Sequence, residues 1–325
     1  CATSTGGGGR EQRLELEELE LARRLEALRK TNPSSYRILF YYLFFFSLVV
    51  QHSYSSPCQK KNMSQVSKII IAETANGIGS KVAEELEEFS RICTQESGKF
   101  TIAMSGGSMP KLLANLVGKD INFEKWHVFF VDERCVPLDD DESNYKACLE
   151  HLFSKVPIPE GQIHPIDFSQ GSPEAIGEEY AEQLRSLWGT EPPAFDAILL
   201  GVGPDGHTAS LFPGHPLNAL VGPEAPLVAS LADSPKPPPA RITFTRPVID
   251  RARRIMFMAG GAGKAELFAE IFGISEEDGS LCYKAAVDYP CVKVSPEGGA
   301  EWYIDQAAAA QLSQELKERA LTCAL

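Results

Sequence analysis

The sequence predicts an α/β fold in which a doubly wound, mostly parallel sheet carries helices on both faces. Short apolar runs of four to six residues alternate with amphipathic segments along most of the chain, which is the pattern of βαβ units. Few polar residues interrupt these runs, as expected for strands that are buried on both faces. Polar or glycine-rich segments directly follow four of the runs, at the position where an open parallel sheet binds its ligands.

The strands and helices alternate along the chain. The apolar runs predict strands over Lys68–Ala72, Phe100–Met104, His127–Val131, Phe195–Leu200, Ile242–Thr245 and Ile255–Ala259. The amphipathic segments predict helices over Gly79–Ile92, Pro110–Val117, Asn144–Leu152, Pro173–Leu187, Pro247–Arg253 and Lys264–Phe272. The proline-rich residues 235–239 predict a rigid extended connection within this fold, too short to link two domains.

Residues 1–62 differ in pattern from the rest of the chain. Residues 11–29 are charged and helical in pattern, and Ile38 to Val50 form an apolar stretch of thirteen residues. A bilayer-spanning helix takes about 20 residues. We therefore interpret residues 1–62 as a leader or upstream segment outside the fold, and residues 63–325 as a single domain in the cytoplasm. A signal or membrane-anchor function of the apolar stretch stays open.

The composition restricts the class of function. The net charge of −13 argues against non-specific binding of nucleic acid, and the 43% of hydrophobic residues supports a sizeable core. The eight cysteines include no C-x-x-C pair, so they indicate reduced thiols more than zinc ligands. An anionic substrate of this acidic chain would need a local cluster of Lys, Arg and main-chain N–H groups.

Four motifs follow predicted strands, and they are expected to meet at one edge of the sheet. They are SGGS (105–108), DER (132–134), GVGPDGH (201–207) and GGAGK (260–264). The first motif precedes a predicted helix, where flexible backbone and free N–H groups favour phosphate binding. Its predicted phosphate-binding residues are Ser105, Gly106, Gly107 and Ser108. Arg134 and Lys264 could bind the same phosphate, or could simply be solvated charges.

The third motif is expected to present the catalytic group. It matches the dinucleotide pattern G-x-G-x-x-G, but Pro204 in the turn and the proline-bounded loop that follows disfavour a dinucleotide site. His207 could take a proton from water near neutral pH, with Asp205 beside it to orient the ring. From the residues alone, a metal site formed by Asp205, His207 and His215 stays open, although no further ligand pattern supports it.

With these residues assembled, the chain from about residue 66 to residue 306 resembles the 6-phosphogluconolactonase family. The matching stretches are SGGS (105–108), VDER (131–134), ESNY (142–145), PIPEGQI (157–163), GVGPDGHTASLFPGHP (201–216), DSPKPPPARITFT (233–245) and GKAELF (263–268). The stretch 201–216 is long and highly specific. Met109 stands where the family often has a smaller residue, commonly Thr, beside the phosphate loop.

The resemblance implies a sheet related to those of glucosamine-6-phosphate deaminases and ribose-5-phosphate isomerases. It implies hydrolysis of 6-phospho-D-glucono-1,5-lactone in the pentose phosphate pathway, without metal or organic cofactor. We further expect a monomer that binds no nucleic acid, and no membrane through residues 63–325. His207 would be the general base, with Asp205 beside it. The residues implied to bind the phosphate or the sugar are Ser105, Gly106, Gly107, Ser108, Asp132, Arg134, Arg241 and Lys264.

Two other functions are weighed against this one. A glucosamine-6-phosphate deaminase-like isomerase would carry a glutamate five residues after the histidine, and that position is Phe212 here. A non-catalytic sugar-phosphate sensor would need the phosphate-binding residues but not His207. Such sensors usually carry a DNA-binding domain, and no basic recognition helix is evident in this acidic chain.

Overall fold

The computed structural model describes residues 66–189 and 191–323, so the interpretation of residues 1–62 lies outside the described residues. The strands are β1 (Val66–Ala72), β2 (Phe100–Met104), β3 (Trp126–Phe130), β4 (Asp132–Arg134), β5 (Ala197–Leu200), β6 (Val228–Leu231), β7 (Arg241–Phe244), β8 (Arg254–Ala259), β9 (Phe272–Ile274), β10 (Leu281–Tyr283), β11 (Ala300–Asp305) and β12 (Leu321–Cys323). The helices are α1 (Ala75–Ser97), α2 (Met109–Leu113), α3 (Asn144–His151), α4 (Pro173–Trp188), α5 (Arg246–Ile249), α6 (Ala265–Ile271), α7 (Pro290–Lys293) and α8 (Gln314–Arg319).

Seven strands form a parallel sheet in the order β12-β1-β11-β8-β5-β2-β3. The side chains of alternate residues in a strand point to opposite faces of the sheet and pack into two different cores. In β3, Phe129 packs with Tyr180 of α4 on one face, whereas Val128 and Phe130 belong to the core that contains Val82 of α1. Burial on both faces explains the nearly uninterrupted apolar runs, and it confirms the predicted doubly wound α/β fold.

The prediction placed Ile242–Thr245 among the strands of the parallel sheet, and this placement is wrong. The run corresponds to β7, the middle strand of a separate antiparallel sheet with the order β4-β7-β6. Ile242 and Phe244 are apolar because they cover one face of the parallel sheet. A short apolar run cannot by itself distinguish these two environments.

The sequence analysis missed β11, a strand inside the parallel sheet. Its charged residue Glu301 interrupts the apolar pattern, but the residue is only 8% exposed and its carboxylate is paired with two basic side chains. Arg254 on the neighbouring strand β8 donates to it at 2.6 and 2.7 Å, and Lys68 lies 3.1 Å away. A buried charge is tolerated when it is paired in this way. Among the described helices, none is both long enough and apolar enough to cross a membrane.

Candidate active site

The buried carboxylate of Asp132 joins three of the four motifs. Ser105 at the end of β2 donates its hydroxyl to Oδ1 at 2.6 Å, and Ser210 donates to Oδ2 at 2.9 Å. Ser210 lies three residues after His207. The fourth motif is fixed by Asp305 at the end of β11, whose carboxylate accepts from Gly261 N–H at 2.9 and 3.0 Å. The carboxyl ends of the parallel strands therefore bring the motifs to one edge, as the sequence predicts.

The loop after β5 is folded tightly around His207. The Gly203 N–H donates to the carbonyl oxygen of His207 at 2.9 Å, and the Gly206 N–H donates to that of Gly203 at 2.9 Å. A Cβ added to Gly203 would lie 2.0 Å from the imidazole. Gly206 has a φ of +77° and packs against Tyr289. Both glycines are required by this geometry, because any side chain at Gly203 would displace the ring and Gly206 occupies the left-handed region.

The imidazole of His207 is held in one tautomer. Its Nδ1 lies 2.5 Å from Oδ1 of Asp205, so the proton is on Nδ1 and Nε2 is left as the acceptor. The ring stacks on the buried Phe212, with centroids 4.9 Å apart. Burial lowers the pKa of His207 below its ordinary value, while Asp205 opposes that change. A neutral imidazole with a free Nε2 is the form that a general base needs.

Lys236 is a functional candidate that the sequence analysis missed. Its Nζ lies 3.0 Å from Nδ1 of His207 and 3.4 Å from Oδ1 of Asp205. Because Nδ1 already carries a proton, the ammonium donates to the carboxylate. Burial would raise the pKa of Asp205, but the His207 hydrogen bond and the Lys236 charge hold it below its usual range. The only signal was that Lys236 lies within the family-like stretch 233–245.

Arg134 and Arg241 lie side by side, because they are paired residues of β4 and β7. Arg134 Nη1 donates to the carbonyl oxygen of Glu142 at 2.6 Å, while its Nε is buried and has no partner among the described residues. Arg241 donates to the carbonyl oxygens of Lys236, Pro237 and Pro238, at 2.9 to 3.1 Å, and so fixes the Lys236 loop. Burial and the neighbouring Arg134 lower the pKa of Arg241.

Lys264 reaches the site from the end of β8. Its Nζ donates to the carbonyl oxygen of Gly260 at 2.8 Å. Burial lowers its pKa, and the charge of Lys236 acts in the same direction, against Asp305. The charges of Arg134 and Arg241 thus act on each other, and so do those of Lys236 and Lys264.

The SGGS loop separates into a buried and an exposed part. Ser105 is 6% exposed, and its hydroxyl is committed to Asp132. Gly106 packs so closely on Asn144 that a Cβ there would lie 1.9 Å from Oδ1 of Asn144. Gly107 and Ser108 are exposed to solvent just before α2. Gly107 and Ser108, rather than the Ser105 hydroxyl, are therefore the part of this loop open to a ligand.

The structure does not support the metal site or the dinucleotide site that the sequence left open. His215 pairs with Asp233 at 3.1 Å, and the part of the chain that the structure describes holds no group of three His, Cys, Asp or Glu residues arranged for a metal. The G-x-G-x-x-G segment does not open a helix. It leads instead into a bridge between Thr208 and Leu211, so the structural context of a dinucleotide fingerprint is lacking there.

Comparison with known proteins identifies the family of the chain. The family model described as glucosamine-6-phosphate isomerases/6-phosphogluconolactonase matches residues 73–302. A 6-phosphogluconolactonase from Rattus norvegicus is 38% identical over 75% of this chain and 93% of its own length. The structure of a 6-phosphogluconolactonase from Trypanosoma brucei is similar, with 27% identity, a TM-score of 0.62, and coverage of 78% of this chain and all of that one. A monomeric glucosamine-6-phosphate deaminase shares the fold, with a TM-score of 0.57, 18% identity, and coverage of 75% of this chain and 99% of its own.

Proposed function

The chain belongs to the glucosamine-6-phosphate isomerase/6-phosphogluconolactonase family, and we propose that it hydrolyses 6-phospho-D-glucono-1,5-lactone to 6-phosphogluconate. The relatives named above support this substrate and its place in the pentose phosphate pathway. The observation that carries the proposal is the contact between Nδ1 of His207 and Oδ1 of Asp205, which leaves Nε2 as the proton acceptor of the ring, without a hydrogen-bond partner among the described residues. The basic residues beside it form an anion site in a chain of net charge −13.

The proposed reaction uses His207 in both directions of proton transfer. Nε2 takes a proton from water as the water oxygen attacks the lactone carbonyl carbon. The resulting imidazolium is stabilised by Asp205, and main-chain N–H groups of the glycine-rich loops meet the negative charge that develops on the carbonyl oxygen. When the bond between the carbonyl carbon and the ring oxygen breaks, the proton passes from Nε2 to that oxygen. The product forms as the carboxylic acid, which loses its proton to solvent to give 6-phosphogluconate, so atoms and charge balance without a further reactant.

The phosphate is proposed to bind Arg134, Arg241 and Lys264, together with the exposed part of the SGGS loop. Arg134 has a buried Nε without a partner among the described residues, and a phosphate oxygen would supply one. Asp132 acts inside the protein, since it holds the hydroxyls of Ser105 and Ser210. We propose further that the chain acts without a cofactor, as a monomer and in the cytoplasm.

The structure lacks the carboxylate that an isomerase of the deaminase type would need. Phe212, at the position where the deaminases carry a glutamate, is 2% exposed and stacks on His207. An apolar ring cannot exchange the proton that ring opening of an amino sugar requires.

The deciding experiment assays the full chain against both substrates. We expect 6-phosphogluconate to form from the lactone faster than by spontaneous hydrolysis, which has to be subtracted, and no ammonia to be released from glucosamine 6-phosphate. Ammonia release without lactone hydrolysis would replace the proposed function with the isomerase. Binding of sugar phosphates without either reaction would favour the sensor.

A further inference from the structure

Glu133 belongs to the second of the four motifs, DER (132–134), yet the proposed mechanism gives it no step. Its side chain is 1% exposed, and both of its oxygens accept hydrogen bonds. Oε1 accepts from the main-chain N–H groups of Arg134 and Asn144, each at 2.8 Å. Oε2 accepts from the Tyr145 N–H at 2.9 Å and from the Ser143 hydroxyl at 3.2 Å. Four donors converge on two oxygens, which is the pattern of an ionised carboxylate, although burial raises the pKa of Glu133 to about 7.

Most of these donors belong to the start of α3. The first N–H groups of a helix have no partner within the helix, and they attract an anion. Glu133 supplies that anion from within the chain. The substrate phosphate is therefore left to the basic side chains and the SGGS loop, and α3 serves as a support for them.

The segment that Glu133 holds contacts the site at three points. The carbonyl oxygen of Glu142 accepts from the Arg134 guanidinium at 2.6 Å. Asn144 donates from Nδ2 to the carbonyl oxygen of Asp132 at 2.7 Å, and the same side chain packs directly on Gly106. A shift of residues 142–144 would move the guanidinium and the phosphate loop together.

We propose that Glu133 is a positioning residue for phosphate binding, which fixes Arg134 through residues 142–145 and takes no part in the chemical step. This inference rests on the proposed function, in which Arg134 binds the substrate phosphate. His207 and Asp205 make no contact with this segment in the described hydrogen bonds. A change at Glu133 therefore weakens substrate binding and leaves proton transfer intact.

The test is Glu133→Gln in the full chain, assayed at a pH well above the pKa of Glu133. The amide keeps the size of the side chain, but its NH₂ group would face the N–H of Tyr145. We expect KM for the lactone to rise about 10- to 100-fold and kcat to stay within about threefold. An unchanged KM, or a fall in kcat alone, would overturn the proposal.

Asp196→Asn is the matched control. Asp196 is also a buried carboxylate, and it accepts from the N–H and the hydroxyl of Thr101 at 2.8 and 2.9 Å. It lies near the start of β2, away from the carboxyl end that carries the site. We expect this variant to lower the melting temperature and to leave KM unchanged. A KM that rises equally in both variants would mean that Glu133 acts through general stability, against the proposal.

A double variant tests whether the effect passes through Arg134. The KM of Glu133→Gln combined with Arg134→Ala should rise by clearly less than the product of the two single effects, because coupled residues are not additive. A KM raised by the full product of the two single effects would contradict the proposal.

If Glu133→Gln does not fold, Ser143→Ala removes one of the four donors, and we expect it to raise KM about two- to fivefold. An unchanged KM there would count against the proposal in the same way.

Calorimetric titration with inorganic phosphate separates this inference from the proposed function, because it requires no turnover. We expect weaker phosphate binding in Glu133→Gln than in Asp196→Asn. If the unmodified chain binds phosphate but does not open the lactone, the proposed function fails and the positioning role is judged by this titration alone. If the chain opens the lactone and Glu133→Gln binds phosphate normally, only the positioning role fails.

Discussion

The protonation of His207 is decided by its immediate neighbours. Burial favours the neutral ring, Asp205 and Asp132 favour the charged ring, and Lys236 favours the neutral ring again. The net result is a pKa below the ordinary value of about 6.5. The base is therefore neutral at pH 7, and the rate should fall only when the pH drops through the lowered pKa.

Replacing Lys236 by Ala should move that acid limb. The positive charge near the ring opposes protonation of His207, so its removal raises the pKa, and the rate begins to fall at a higher pH. The pH dependence of kcat/KM measures this shift. Lys119→Ala is a suitable control, because Lys119 lies away from the site. Its Nζ is 3.5 Å from a carboxylate oxygen of Glu87. An acid limb that stays in place in Lys236→Ala would show that this lysine does not tune the base.

Replacing Arg134 or Lys264 by Ala should mainly raise KM. Each side chain would contribute a charge-assisted hydrogen bond to phosphate, and such bonds correspond to about 10- to 150-fold in affinity. Steady-state kinetics should show this with little change in kcat. Arg185, which pairs with Glu178 and Glu182 on the surface of α4, supplies the control variant Arg185→Ala. A normal KM in both site variants would exclude a shared phosphate site.

At the scale of elements, the loop 201–207 can be tested through Gly203. An added methyl group would meet the His207 ring and Oδ1 of Asp205 at 2.0 and 2.5 Å, so Gly203→Ala should displace the catalytic pair and lower kcat at least about tenfold. A Cβ at Gly161 meets nothing within 4 Å, which makes Gly161→Ala the control. Near-normal kcat in Gly203→Ala would mean that the ring position is not critical.

The sequence predicted those elements whose residues and immediate neighbours in the chain determine their structure. Phe100–Met104 and Asn144–His151 were found almost to the residue, because one is buried on both faces and the other starts at the N-cap Ser143. β11 was missed, since the pairing of Glu301 with Arg254 is visible only in three dimensions. For the same reason neither Lys236 nor Glu133 was singled out, although both lie within stretches that resemble the family. A lysine in a proline-rich loop and a glutamate in a polar motif both look solvated until the fold brings their partners to them.

At the scale of the whole molecule, the proposed site lies entirely within the described residues. The site residues lie between residues 105 and 264, and the family match spans residues 73–302. We therefore expect a chain of residues 63–325 to keep the melting temperature and the kcat/KM of the full chain. Thermal unfolding and lactone hydrolysis measure this. An insoluble or strongly destabilised truncation would place the leader within the fold.

The central claim is that His207 transfers the proton in lactone opening, and kcat of His207→Asn tests it most directly. Asn keeps a polar side chain of similar size but cannot take a proton near neutral pH. We predict normal folding, a KM close to that of the unmodified chain and a kcat lowered by about 10²–10⁴, the usual contribution of a general base. A variant with near-normal kcat and the same acid limb would contradict the claim and assign proton transfer to another group, first of all Asp205.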